Sequence, residues 1–230
     1  MNTVSTRTLM MVAMYLCFLC ATSTAEDSKK INVKNNCTFP VWPAVESRRF
    51  PKPQRYQPLL NPGESLSILF DKSWQGRIWG RVGCNFSESS GEGHCESGDC
   101  AGKIICENAR IVTQVVIEPD AFSVTLESGY NLPMSIVSSS TKEKCGYQEC
   151  TADIRVVCPT NLQVRNVEGD VIACNGSCDT TCRPLEFESA FRRACPHATP
   201  FTKPDLCYSG LYYLLTFCPS PMDNMAFHQN

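Results

Sequence analysis

Past residue 25 the chain has no apolar run near the roughly 18 residues of a membrane span, so no spanning helix is expected there. Histidine is scarce: the three, His94, His197 and His228, lie far apart in sequence. That scatter suits isolated surface side chains rather than a ligand set or a general base, and no metal or other cofactor is implied. The G-x-S-x-G turn of an activated serine is missing, as are internal repeats and low-complexity stretches. Charge is nearly balanced, with 21 basic against 23 acidic side chains, so nucleic acid is not an expected partner.

Cysteine, by contrast, is abundant, with 16 in 230 residues. Their setting is given by the first 25 residues, which read as a secretory leader: Arg7, an apolar stretch from Leu9 to Cys20, then Ser23-Thr24-Ala25 with cleavage after Ala25. Removing residues 1–25 takes away Arg7 and no acid, which leaves 20 basic and 23 acidic side chains, a charge of −3. It also removes Cys17 and Cys20, leaving 14 of the 16 cysteines. An even number in an oxidising compartment reads as seven bridges with no free thiol. Three sequons, at Asn36, Asn85 and Asn175, fit a secreted glycoprotein, although Asn36 adjoins Cys37, where bridge formation competes with glycosylation.

The densest stretch is Gly91 to Cys106, with four glycines and three cysteines in sixteen residues. Glycine permits the tight turns, and closely spaced cysteines can staple them. Zinc is the competing reading, but its sites usually join two short Cys/His pairs, and the leader favours disulfides.

The rest of the first two-thirds reads as β structure. Ile31–Val33, Ser65–Phe70, Arg77–Val82, Ile111–Glu118 and Ala121–Glu127 are rich in β-branched and aromatic residues, and turn formers such as Asn61-Pro62-Gly63 and Pro119-Asp120 separate them. Leu66, Ile68 and Phe70 share one face, as do Phe122, Val124 and Leu126, which is the alternation of half-buried antiparallel strands. The stretch from Cys145 to Cys207 holds more than half of the fourteen cysteines and one helix candidate, Leu185–Ala194. Pro184 suits its first turn, acids lead, arginines trail, and Phe187 and Phe191 stand i,i+4. Leu214–Phe217 reads as a last strand. Trp42, Trp74 and Trp79 are expected to pack in the core rather than stack on sugars.

Together these features resemble the thaumatin-like proteins, the plant pathogenesis-related group 5 family. The family signature G-x-[GF]-x-C-x-T-[GA]-D-C matches from Gly91 to Cys100, with Ser97 in place of threonine, and continues with a glycine and a cysteine to Cys106. Further matches span the chain. Among them are Asn35-Asn36-Cys37, Val41-Trp42-Pro43, Asn61-Pro62-Gly63-Glu64-Ser65, Gly76-Arg77-Ile78-Trp79-Gly80-Arg81, Gly129-Tyr130-Asn131-Leu132-Pro133-Met134, Cys150-Thr151-Ala152-Asp153 and Thr216-Phe217-Cys218-Pro219. The resemblance implies a mainly β fold: an eleven-stranded sandwich with smaller disulfide-rich lobes and one short helix. The sandwich is drawn over about 26–144 plus 208–220, the lobe over 145–207 and a tail over 221–230, which is read as a frayed end. It also implies the bridges Cys37–Cys218, Cys84–Cys95, Cys100–Cys106, Cys145–Cys207, Cys150–Cys195 and Cys158–Cys174. Usual members have sixteen cysteines. Here a segment is missing between Cys178 and Cys182, which are left to pair with each other.

Many members carry a cleft of one Arg, one Glu and three Asp that holds β-1,3-glucan, and some hydrolyse it weakly. Carried over residue by residue, the arginine falls on Arg81, the glutamate on Gln114 and two aspartates on Ser123 and Ser128; the third falls near Pro204, beside Asp205. Neither amide nor hydroxyl can protonate a glycosidic oxygen, so catalysis is not expected. If Pro119-Asp120 is a two-residue turn, Glu118 and Glu127 join the cleft face at opposite ends of a hairpin. Arg81, short of acids, is expected to be solvated or to find Glu118, Glu127 or Asp205. The resemblance thus implies a monomeric, antifungal-type defence protein, secreted to the apoplast rather than the vacuole. Its expected partner is β-glucan, another glycan or a surface partner. A weak endo-β-1,3-glucanase and an enzyme inhibitor or signalling ligand are the alternatives.

Overall fold

The computed structural model describes residues 28–47, 59–87, 89–100, 110–138, 147–176, 185–201, 205–206 and 212–220. The expected leader, the tail 221–230, His228 and Cys106, Cys145, Cys178, Cys182 and Cys207 lie outside these.

Two sheets face each other. The first holds β1 (Ser28–Asn35), β3 (Ser65–Asp71), β8 (Met134–Ser138), β9 (Tyr147–Cys150) and β13 (Tyr212–Phe217), in the order β3–β1–β13–β8–β9. The second holds β2 (Trp42–Ser47), β4 (Gly76–Phe86), β6 (Gln114–Ile117), β7 (Ala121–Thr125) and β12 (Asp205–Leu206), in the order β12–β7–β6–β4–β2, with β5 (Gly93–Ser97) paired to β4. The first strand lies parallel to the last, Ile31 beside Tyr213 and Val33 beside Leu215. The Cys37–Cys218 bridge closes that pair, with Cα atoms 5.0 Å apart.

Period-two alternation fills the space between the sheets. Ile31, Val33, Ile136 and Leu215 from the first meet Ile78, Val115, Ile117 and Val124 from the second, all at most 1% exposed. Trp74 and Trp79 are buried as expected, Trp42 half-buried.

The short predicted strands shift at their ends. Ile31–Val33 grows to Ser28–Asn35 because Lys29 also turns inward, 2% exposed, its Nζ donating to the Trp74 carbonyl at 3.0 Å. Ile111–Glu118 shrinks to Gln114–Ile117, since Ile111 sits at φ 55, outside the strand region.

The helix α2 (Leu185–Ala194) has the predicted bounds and buries Phe187 and Phe191. It is not alone: α1 (Ile154–Val157) precedes it, N-capped by Asp153, whose Oδ1 accepts the Arg155 N–H at 3.0 Å. The hairpin β10 (Gln163–Arg165) and β11 (Val171–Cys174) completes the lobe. The lobe drawn over 145–207 is too wide, because β9 and β12 inside that span extend the two sheets.

The lobe is fastened to the sandwich at Tyr130. This side chain is fully buried; its hydroxyl donates to the Ala152 carbonyl at 2.7 Å, and its ring lies 5.0 Å from Phe191. Tyr130 also exchanges backbone hydrogen bonds with Cys174. Cys150–Cys195 and Cys158–Cys174 tie the same region. The preceding residue, Gly129, has φ +112, and a Cβ there would stand 2.7 Å from the Cys174 carbonyl, so the junction requires glycine.

Candidate functional site

The outer face of the second sheet carries the positions where the resemblance puts a cleft. The β6–β7 hairpin turns at Pro119-Asp120, with the Glu118 N–H donating to the Ala121 carbonyl at 2.8 Å. Gln114 then opposes Thr125, and Val116 opposes Ser123. Their face holds a shallow groove of about 240 Å³ lined by Arg77, Val116, Glu118, Ser123, Thr125 and Glu127, among others.

Arg77 is the arginine of this groove, and Arg81 is not. β4 pairs with β6 from Gly76 to Ile78, which sets Arg77 beside Val116. Arg81 is four residues further along, about 13 Å at strand rise. It is 0% exposed, and a Cβ on Gly98 would stand 3.3 Å from its Cα. Its Nε and Nη2 reach the Trp42 and Pro43 carbonyls at 3.4 and 3.5 Å, and its guanidinium lies 4.9 Å over the Phe86 ring. Burial pulls its pKa down from 12.5 to about 10, while Asp99 pulls the other way. The expectation that Arg81 would be solvated is therefore corrected: it is fully buried, and Asp99, after β5, acts on its charge.

The signature loop explains why the signature residues recur together. Asp99 Oδ1 accepts the Cys95 N–H at 3.0 Å, and Trp79 Nε1 donates to the Gly98 carbonyl at 3.2 Å. Gly98 has φ +71, and a Cβ there would meet the Gly80 carbonyl at 2.7 Å. Ser97, in place of threonine, keeps the hydroxyl that is used: it accepts from Asn131 Nδ2 at 3.3 Å. Cys84–Cys95 bridges directly paired residues of β4 and β5. Cys100 is also disulfide-bonded.

On the same sheet face, but not lining the groove, Gln114 is 1% exposed; its Oε1 accepts from Ser128 Oγ at 3.5 Å, and its Nε2 has no hydrogen-bond partner among the described residues. Ser123 is 5% exposed. Asp205 pairs with Phe122 in the β7–β12 ladder. Glu118 stands opposite Ala121, whereas Glu127 follows Thr125, so about 13 Å or more of strand separates their backbone positions. Glycosidases hold their two carboxyl groups about 5–9.5 Å apart. Among the described residues the groove therefore offers hydroxyls and one guanidinium for hydrogen bonding, with its acids at the two ends. His94 and His197 are exposed, and no His/Cys/Asp/Glu cluster fit for a metal occurs among the described residues.

Arg77 was missed in the sequence because two arginines four apart on one strand share a face. Only the long-range β4–β6 register tells them apart.

The model of the thaumatin family matches residues 35–219. A thaumatin-like protein of Arabidopsis thaliana is 33% identical over 220 residues, covering 80% of this chain and 88% of the relative. Pathogenesis-related protein 5 of the same plant is 30% identical over 215 residues, covering 81% and 89%. A protein of Prunus avium named glucan endo-1,3-beta-glucosidase is 31% identical over 222 residues, covering 82% and 90%. The chain belongs to the thaumatin family.

Proposed function

We propose that this chain is a secreted defence protein that binds a glycan along the outer face of its second sheet and does not hydrolyse it efficiently. The observation that carries this reading is the groove lined by Ser123 and Thr125, with Gln114 opposite Thr125 in the ladder, whose carboxylates, Glu118 and Glu127, sit at opposite ends. Amide and hydroxyl groups hydrogen-bond sugar hydroxyls in either direction, but neither serves as a general acid near neutral pH. The leader-like N-terminus and the paired cysteines support secretion.

The name of the Prunus avium relative favours a second reading, weak endo-β-1,3-glucanase activity resting on Glu118 and Glu127. One experiment separates the two. Purified protein is incubated with insoluble β-1,3-glucan, bound protein is measured by pull-down, and reducing ends are measured in the supernatant. Retention without sugar release is expected. Sugar release that disappears in Glu118→Gln or Glu127→Gln would establish the glucanase, and absence of retention would refute glycan binding.

A further inference from the structure

A second and larger concavity lies away from the sheet-face groove and contains none of Arg77, Arg81, Gln114, Ser123 or Ser128. It encloses about 700 Å³ between the β1–β2 connection, β5 and the lobe, within the size range of ligand pockets. Two kinds of side chain line it. Phe39, Leu132, Pro133, Ile154 and Ile172 supply apolar walls, and among the described lining residues Glu96, Asp153, Glu168 and Asp170 supply four carboxylates against one cation, Arg155.

Arg155 is already engaged. Its Nη2 and Nε donate to Asp153 Oδ2 and Oδ1 at 2.8 and 3.0 Å. Among the described lining residues that leaves the charges of Glu96, Glu168 and Asp170 in surplus. Glu168 and Asp170 sit on the β10–β11 turn, where Asn166 Oδ1 accepts both of their backbone N–H groups, at 3.2 and 2.9 Å. The turn holds the two acids at the rim without requiring a ligand to order them.

The apolar exposure at this end is independent of the charge. Phe39, which lines the groove, is 38% exposed. The apolar walls offer a bound partner apolar contact beside the carboxylates. A neutral sugar would desolvate three surplus carboxylates and give back no charge. A cationic segment with apolar side chains would answer both features.

We propose that this groove docks an extended basic segment of a protein partner, with arginine or lysine facing Glu96, Glu168 and Asp170 and an apolar side chain against Phe39, Ile154 and Ile172. The test is fluorescence anisotropy with a labelled hexapeptide that alternates arginine with leucine and phenylalanine, at low and at physiological salt. Binding is expected that weakens with salt, loses about fivefold or more in the Glu168→Gln/Asp170→Asn protein, and is unchanged in Glu186→Gln, an exposed acid on α2. Phe39→Ser is expected to weaken the mixed peptide while leaving hexa-arginine unaffected. Circular dichroism checks that each variant is folded. The proposal is overturned by failure of the mixed peptide to bind, by equal binding of hexa-arginine, by equal loss in Glu186→Gln, or by displacement with laminarihexaose.

Discussion

Asp99→Asn isolates the charge that Arg81 needs. Asparagine keeps an oxygen where Asp99 Oδ1 accepts the Cys95 N–H at 3.0 Å, so the loop retains its hydrogen bond and loses only the negative charge. Arg81 is 0% exposed, and its pKa is pulled down to about 10 even with Asp99 present. A fall of that size, at about 1.4 kcal/mol per pKa unit, means that the buried cation already costs about 3 kcal/mol relative to the unfolded chain. Removing the acid of a fully buried pair costs about 3–5 kcal/mol. Asp99 is half-buried, so about 2–3 kcal/mol is expected. For a chain of this length that lowers Tm by about 4–12 °C. The arginine's folded pKa lies below its unfolded value, so its own contribution rises with pH only above about 10; the deficit should be flat across the neutral range.

The assay is thermal unfolding followed by near-UV circular dichroism with the bridges intact, in a cycle with Arg81→Met. Methionine removes the charge to be solvated, so Arg81→Met/Asp99→Asn should recover most of the loss. An Asp99→Asn protein that melts with the wild type would refute the pairing, as would failure of methionine to rescue it. Glucan retention should survive in the double variant. Its loss from a stable, folded protein would return Arg81 to the glycan site.

Phe191→Ala should cost about 3–5 kcal/mol by urea unfolding, because Phe191 is 0% exposed and its ring lies 4.3 Å from Phe187 and 5.0 Å from Tyr130; an unchanged midpoint would show that α2 does not fasten the lobe. Burial pushes the Tyr213 phenol up to about 12, so the fold keeps it neutral while the unfolded chain ionises it. The stability this gives is full below about pH 10 and is lost as pH rises toward 12, so Tyr213→Phe should fall less steeply than wild type in alkaline melts; equal slopes would count against it. Gln114→Glu/Ser123→Asp puts two carboxyl groups on diagonal neighbours of an antiparallel pair, about 7–8 Å apart, with the first one buried and therefore disposed to stay protonated. A slow release of reducing sugar from soluble β-1,3-glucan is expected, and its absence in a folded variant that still binds glucan would mean the face does not present the bond between them.

Some elements were legible in the sequence because their signals are local. The hairpin at Pro119-Asp120 needs only two turn residues between alternating strands, and α2 carries its start, stop and buried face within ten residues. β8 was missed for a physical reason. All five residues from Met134 to Ser138 are buried, so no polar face alternates with an apolar one. β1 was cut short because Lys29 reads as a surface residue, whereas the fold buries its stem and bonds its ammonium to the Trp74 carbonyl. α1 has four residues, too few for a helical period to show.

The site divides along the same line. Residue type at Gln114, Ser123 and Ser128 can be read directly and already excludes an acidic pair at those positions. Which arginine accompanies them cannot be read directly, because the answer lies in a pairing between strands more than thirty residues apart. The pleat also explains how such a face can lose its acids while the fold stays intact. Val115, Val124 and Ile117 hold the two sheets together from the inner side, and Gln114, Val116 and Ser123 alternate with them on the outer side. A substitution in the outer row changes the chemistry of the groove without touching the apolar contacts between the sheets. Arg81 is the exception on that outer row. It is fully buried with Asp99 acting on its charge, so there a change of charge is felt by the fold first.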